Sequence, residues 1–209
     1  MTILVSIRSG KGGEGESVLS SNLAVLLAGK GHKVVLIDLD AGGANAYIMF
    51  GVFRPERTLG DFMLRGVDSL QDVTMELKTF NKLLLIPGMG ESMYTANLPT
   101  GAKDKLLRHI KKLDVDFVII DVGAGTNYNT LDYYMMDDYN ICISTPEPTS
   151  VLDLYRFVKL AVIRKALSVF LARNDVRKTI AKTNIQNIEE IFPLLSRRVL
   201  TRRQQHRRP

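Results

Sequence analysis

Cysteine occurs once in the 209 residues. That lone thiol, Cys142, cannot close an internal disulfide, so a disulfide-stapled scaffold is excluded. It also cannot hold an iron–sulfur cluster, which needs several thiolates. Cys142 lies in an apolar strand-like run, where a small core residue is the expectation. Long hydrophobic runs are missing too: none reaches the ~18–20 residues needed to span a bilayer. The chain opens directly on a strand-like segment and lacks the plan of a signal peptide, which predicts a cytoplasmic protein. Acidic residues are absent from the end of the chain. Residues 196–209 carry six arginines and no Asp or Glu, while the formal net charge of the whole is +6. The body is therefore neutral, which argues against a broadly basic nucleic-acid-binding surface. The arginine tail is expected to be a disordered, solvated end. Contact of the tail with DNA phosphates or anionic lipid is the weaker alternative.

What is present reads as an α/β protein. Five short runs, Ile3–Ile7, Val34–Leu39, Leu83–Pro87, Phe117–Val122 and Asn140–Ser144, are mostly rich in Val and Ile and apolar on both alternating faces. Strands buried in a parallel sheet with helices on both sides have this pattern. Between the first two runs, Ser17–Ala28 is apolar at Val18, Leu19, Leu23, Leu26 and Leu27, with Gly29 and Gly31 as stop signals. Ala102–Leu113 predicts a helix with Leu106, Leu107, Ile110 and Leu113 on its buried stripe and a lysine- and arginine-rich solvated face. A long helix is expected after Ser150, with Ser150 and Asp153 at capping-box spacing, running to about Ala172. The length suits one domain with an appendage. The expected division is an α/β domain over 1–172, a helical region over 173–195 and the basic tail over 196–209. No sixth apolar strand follows.

The chemistry concentrates in Ser9-Gly10-Lys11-Gly12-Gly13-Glu14-Gly15-Glu16-Ser17. A strand that ends in a glycine-rich turn and opens a helix makes an anion site. The glycines admit positive φ, amides turn inward, and the helix N-terminus adds roughly half a positive charge. Ser17 is placed to bring a hydroxyl to a phosphate-bound Mg²⁺. Two more strands end in carboxylates, at Asp38-Leu39-Asp40 and at Asp121-Val122-Gly123. Acids at the C-terminal edge of strands beside such a loop can hold Mg²⁺ through water or orient an attacking water.

These segments resemble the MinD/ParA family of P-loop ATPases. The family loop runs lysine, two glycines, a variable residue, glycine, lysine, then Ser or Thr. Lys11, Gly12, Gly13, Glu14, Gly15 and Ser17 match it, and Glu16 stands where the second lysine belongs. The resemblance implies a three-layer P-loop NTPase fold binding ATP or ADP with Mg²⁺ through Gly10, Lys11, Gly12, Gly13, Gly15, position 16 and Ser17. It assigns Mg²⁺ to Ser17, Asp38 and Asp121, and the hydrolytic water to Asp40. Lys11 would reach the phosphates of a second subunit in a nucleotide-dependent homodimer, and Gly123 or Gly125 would approach the γ-phosphate.

Further segments, among them Gly42-Gly43-Ala44-Asn45, Thr58-Leu59-Gly60-Asp61-Phe62 and Pro146-Glu147-Pro148-Thr149-Ser150, are similar to the FlhG/FleN-type regulators of flagellar number and placement. That branch implies a role in flagellar or cell-pole positioning; chromosome or plasmid partitioning is the family's other reading. Relatives continue into a further strand, whose asparagine helps recognise adenine. Some carry an N-terminal activating helix or a C-terminal amphipathic membrane helix. None of these features is evident in this sequence.

Glu16 reverses the electrostatics of the loop. One charge pair at ~4 Å is worth about 1 kcal/mol in water and ~4 kcal/mol at an effective dielectric of 20. Replacing an attraction by a repulsion therefore predicts ~10²-fold or greater loss of triphosphate affinity. The expectation is a degenerate switch protein with impaired hydrolysis, or a non-hydrolysing protein-binding module. Retained Asp40 and Lys11 favour the competing reading of an active ATPase.

Overall fold

The computed structural model describes residues 2–40, 43, 45–64, 66–89, 101–123 and 138–171. The expected helical region over 173–195, the tail, and Gly42, Ala44 and Gly125 lie outside these residues. The chain divides into two compact units, Met1–Val158 and Lys159–Pro209. The first carries the sheet and the candidate site. In the second, residues 159–171 are helical.

Six strands form one sheet: β1 (Ile3–Ser9), β2 (Val34–Asp38), β3 (Met75–Glu76), β4 (Leu83–Ile86), β5 (Phe117–Asp121) and β6 (Tyr139–Ile143). Their order is β3-β4-β2-β5-β1-β6. All neighbours run parallel except β3 against β4. The expected α/β class and mostly parallel sheet are present, and β3 is the addition. Two residues at a sheet edge are too few to leave a periodic signal in a sequence.

Among the described residues the α-helices are α1 (Glu16–Gly29), α2 (Leu59–Met63), α3 (Ala102–Ile110) and α4 (Pro148–Leu171). Strand alternation divides the core into two clusters. In β2, Val35 and Ile37 join Phe62, Leu106 and Ile110, while Val34 and Leu36 join Ala24 and Ala28 of α1. Both faces are dry because helices cover both, which is why the central strands read as continuous apolar runs. Leu106, Leu107, Ile110 and Leu113 are buried as expected.

The structure departs from the sequence pattern at two helices. In α1 the buried side chains are Glu16, Ser20, Ser21, Ala24 and Ala28, whereas Val18, Leu19 and Leu26 are exposed. Small residues on the sheet side let the helix axis approach the strands closely. The long helix begins at Pro148, not after Ser150. Proline suits the first turn because its missing N–H would have had no helical partner. Ser150 is then inside the helix, buried, with its hydroxyl 2.9 Å from that of Ser144. Asp153 pairs instead with Arg156, at 3.1 Å. No described helix is long and apolar enough to cross a membrane.

Candidate functional site

Parallel register brings the strand ends together. Asp38 of β2 lies opposite Asp121 of β5, and Asp121 opposite Ile7 of β1. The chain leaves β1 at Ser9, turns through the glycine loop, and enters α1 at Glu16. Gly13 and Gly15 have φ of 86° and 101°, conformations that a side chain disfavours. A Cβ at either would meet nothing within 4 Å, so the loop is open on that side. Gly10 is the opposite case: a Cβ there would stand 2.3 Å from the backbone nitrogen of Leu154 in α4. Two residues earlier, the buried Arg8 stacks its guanidinium 3.3 Å from the centre of the Phe157 ring. The loop is thus seated against α4 at its base.

Glu16 does not reach out to solvent. It is 6% exposed and accepts a hydrogen bond from the Ser9 hydroxyl. That hydroxyl also stands 2.5 Å from the Lys11 carbonyl. The carboxylate is therefore folded back toward the base of the loop. Glu14 makes a second acidic bridge. One oxygen lies 3.4 Å from the Lys11 amide, and the other takes the Thr145 hydroxyl at 3.2 Å and its amide at 3.4 Å. Lys11 extends to Glu147 at 3.8 Å, with both side chains more than half exposed. A pair this exposed contributes little stability. Ser9, Glu14, Thr145 and Glu147 were not among the sequence-derived site residues. Ser9 and Glu14 lie within the glycine-rich stretch; Thr145 and Glu147 are brought to it only by the β1–β6 pairing.

The two strand-end segments also touch. Asp40 packs on Gly123, where an added Cβ would lie 2.6 Å from the Asp40 carboxyl carbon and φ is 70°. Asp38 is buried, and its oxygens accept the amides of Asp40 and Ala46, both at 3.0 Å. Its pKa is raised to about 7, chiefly by burial; the two amide hydrogen bonds oppose the rise, and the charges of Asp121 and Asp40 add to it. Asp121 is fully buried, and neither of its oxygens has a hydrogen-bond partner. Burial raises its pKa too. The Ser17 hydroxyl and the Gly123 amide face it and counter part of the rise, without completing hydrogen bonds, while Asp40 and Glu16 repel it.

These shifts have a consequence for stability. Asp38 ionises at 3.8 when unfolded and at about 7 when folded. The folded chain therefore holds the extra proton between those values, and stability falls as pH rises through that window. The slope from one such group is at most about 1.4 kcal/mol per pH unit. Asp121 shifts in the same direction and adds to it. Urea unfolding in EDTA at pH 5 and pH 8 is expected to show lower stability at pH 8; higher stability there would contradict the assignment.

The crevice can be tested for Mg²⁺ and for phosphate separately. Ser17, Asp38 and Asp121 converge at the strand ends, and the orphaned carboxylate of Asp121 is what a hydrated cation would satisfy. Mg²⁺ fits this donor set. A triphosphate does not fit position 16, where a buried carboxylate stands in the loop that must cradle it. Residues 1–193 match the ParA family model, described as a NUBPL iron-transfer P-loop NTPase. The chain belongs to the ParA/MinD family of P-loop NTPases. Among the family's curated members it is 32% identical over 202 residues to the flagellum site-determining protein YlxH of Helicobacter pylori, covering 90% of this chain and 67% of that protein. It is 28% identical to the antiactivator FleN of Pseudomonas aeruginosa, over 75% of this chain and 55% of that one. Among solved structures, the septum site-determining protein MinD of Pyrococcus horikoshii, complexed with Mg-ADP, matches with a TM-score of 0.68 and 30% identity. That match covers 79% of this chain and 66% of MinD. The chain thus spans between about half and two thirds of the length of these family members.

Proposed function

We propose that the chain is a switch protein of the ParA/MinD family whose nucleotide cycle is impaired, acting in flagellar number or site determination. One observation carries the first part: Glu16 is buried in the phosphate loop on the Ser9 hydroxyl, inside a frame that otherwise keeps Lys11, Ser17, Asp38, Asp40 and Asp121. The backbone for phosphate binding is present and the charge is wrong. Likeness to YlxH and FleN supports the second part. A cytoplasmic protein fits both.

In this reading Lys11, Asp40 and the strand-end acids are retained from a family that binds ATP or ADP with Mg²⁺. Mg²⁺, where bound, supplies a counter-charge for phosphate oxygens. This chain's own residues bring the Ser17 hydroxyl and the Asp38 and Asp121 carboxylates to it, and Asp40 is placed on Gly123 beside them. A homodimer bridged by nucleotide is weakened by the same carboxylate, so docking of partner proteins proceeds without a hydrolytic cycle.

Steady-state phosphate release by the purified wild-type protein tests the first part. No turnover above a Ser17→Ala, Asp40→Ala control is expected, and sustained multiple turnovers would contradict it. For the second, flagella are counted per cell after deletion of the gene. A changed number or position is expected, and an unchanged pattern rules the flagellar role out.

A further inference from the structure

Four carboxylates crowd the strand ends. Asp38, Asp40 and Asp121 repel one another, and Glu16 repels Asp121. The first three come from the ends of β2 and β5, and Glu16 opens α1. Burial makes this arrangement costly, because unpaired charges in a low-dielectric site must be neutralised or paired. Two of the acids have donors in reach: Asp38 has two amides and Glu16 has the Ser9 hydroxyl. Asp121 is fully buried with both oxygens lacking a hydrogen-bond partner. Lys11 is directed to Glu147 at the surface. The orphaned oxygens face the Ser17 hydroxyl and the Glu16 charge. A buried carboxylate whose two oxygens lack hydrogen-bond partners calls for a cation.

We propose that this crevice binds a hydrated divalent cation without nucleotide, with the Glu16 carboxylate supplying the negative charge that phosphate oxygens would otherwise bring, beside Ser17 and Asp121. The proposal rests on the reading that Glu16 excludes phosphate, and extends it: one substitution converts an anion-binding loop into a wall of a cation site. Mg²⁺ and Mn²⁺ are the ions that fit. They take oxygen donors, and Mg²⁺ usually keeps several waters while using one or two carboxylates. Among the described residues no three acidic, His or Cys side chains stand close enough to form a closed cage. The remaining positions therefore go to water.

Mn²⁺ titration followed by electron paramagnetic resonance, with no nucleotide present, tests this on the whole chain. One Mn²⁺ per chain is expected, displaced by excess Mg²⁺. Glu16→Gln and Asp121→Asn should each weaken it at least ~10-fold. Glu16→Lys should abolish it, and Asp104→Asn, on α3, should leave it unchanged. Absence of stoichiometric Mn²⁺ binding to wild-type protein would overturn the proposal, and needs no variant to fold. Equal affinity in wild type and Glu16→Gln would also overturn it, by removing Glu16 from the site. Phosphate exclusion is measured separately, by ATP titration in EDTA. Tight ATP binding there sinks the reading beneath, whatever the Mn²⁺ result.

Discussion

Glu16→Lys is expected to raise Mg-ATP affinity by about 10²-fold or more. The substitution removes a carboxylate that repels the β- and γ-phosphates and restores an ammonium that attracts them. The change acts in a loop whose backbone already has the required shape: Gly13 and Gly15 hold positive φ, and space beside them is open. It also frees the Ser9 hydroxyl from its bond to the carboxylate and removes one of the charges that repel Asp121. Calorimetric titration of the variant against wild type measures the change. Recovery of binding means that the rest of the site is sound. An affinity unchanged from wild type would show that Glu16 is not the obstacle.

Gly10→Ala is expected to cost about 3 kcal/mol of folding stability. The new methyl would lie 2.3 Å from the Leu154 nitrogen, 2.8 Å from its Cα and 2.9 Å from the Asp153 carbonyl carbon. All three are backbone atoms of one helix, so no side chain can turn aside. Either α4 retreats from the end of β1 or the loop does. The first separates Arg8 from the Phe157 ring, and the second displaces the loop from its seat. Gly29→Ala is the matched control, since a Cβ there meets nothing within 4 Å. That change should be neutral or slightly stabilising, because alanine restricts the unfolded chain. A loss below about 1 kcal/mol for Gly10→Ala in urea unfolding would contradict the close packing.

The sheet was largely legible in the sequence, because burial on both faces leaves an apolar run with no alternation. Four of the six strands carry that mark, whereas β6 is an apolar run that is only partly buried at the sheet edge; Asp38, Asp121 and Ser17 come together as their positions at strand ends and helix start require. The burial of α1 was not legible. Its larger apolar residues, Val18, Leu19 and Leu26, face outward, and serine and alanine face the sheet; a close helix–strand approach selects for size over hydrophobicity. The start of α4 was misplaced for a related reason. Ser150 and Asp153 have the spacing of a cap, yet tertiary contact with Ser144 and a surface pair with Arg156 occupy them. At the site, sequence identified Glu16 as anomalous. It could not show where the carboxylate goes, since Ser9 lies seven residues away and meets it only because the loop folds back. The bridge from Glu14 to Thr145 spans 131 residues, beyond any local pattern.

The proposed impairment of the nucleotide cycle requires that the buried carboxylate at position 16 bar the triphosphate from an otherwise preserved loop. Equilibrium titration of unmutated protein with Mg-ATP tests it most directly. A dissociation constant of about 10⁻⁴ M or weaker is expected, two decades above a micromolar lysine-bearing site. Micromolar or tighter binding to the wild-type chain would contradict it.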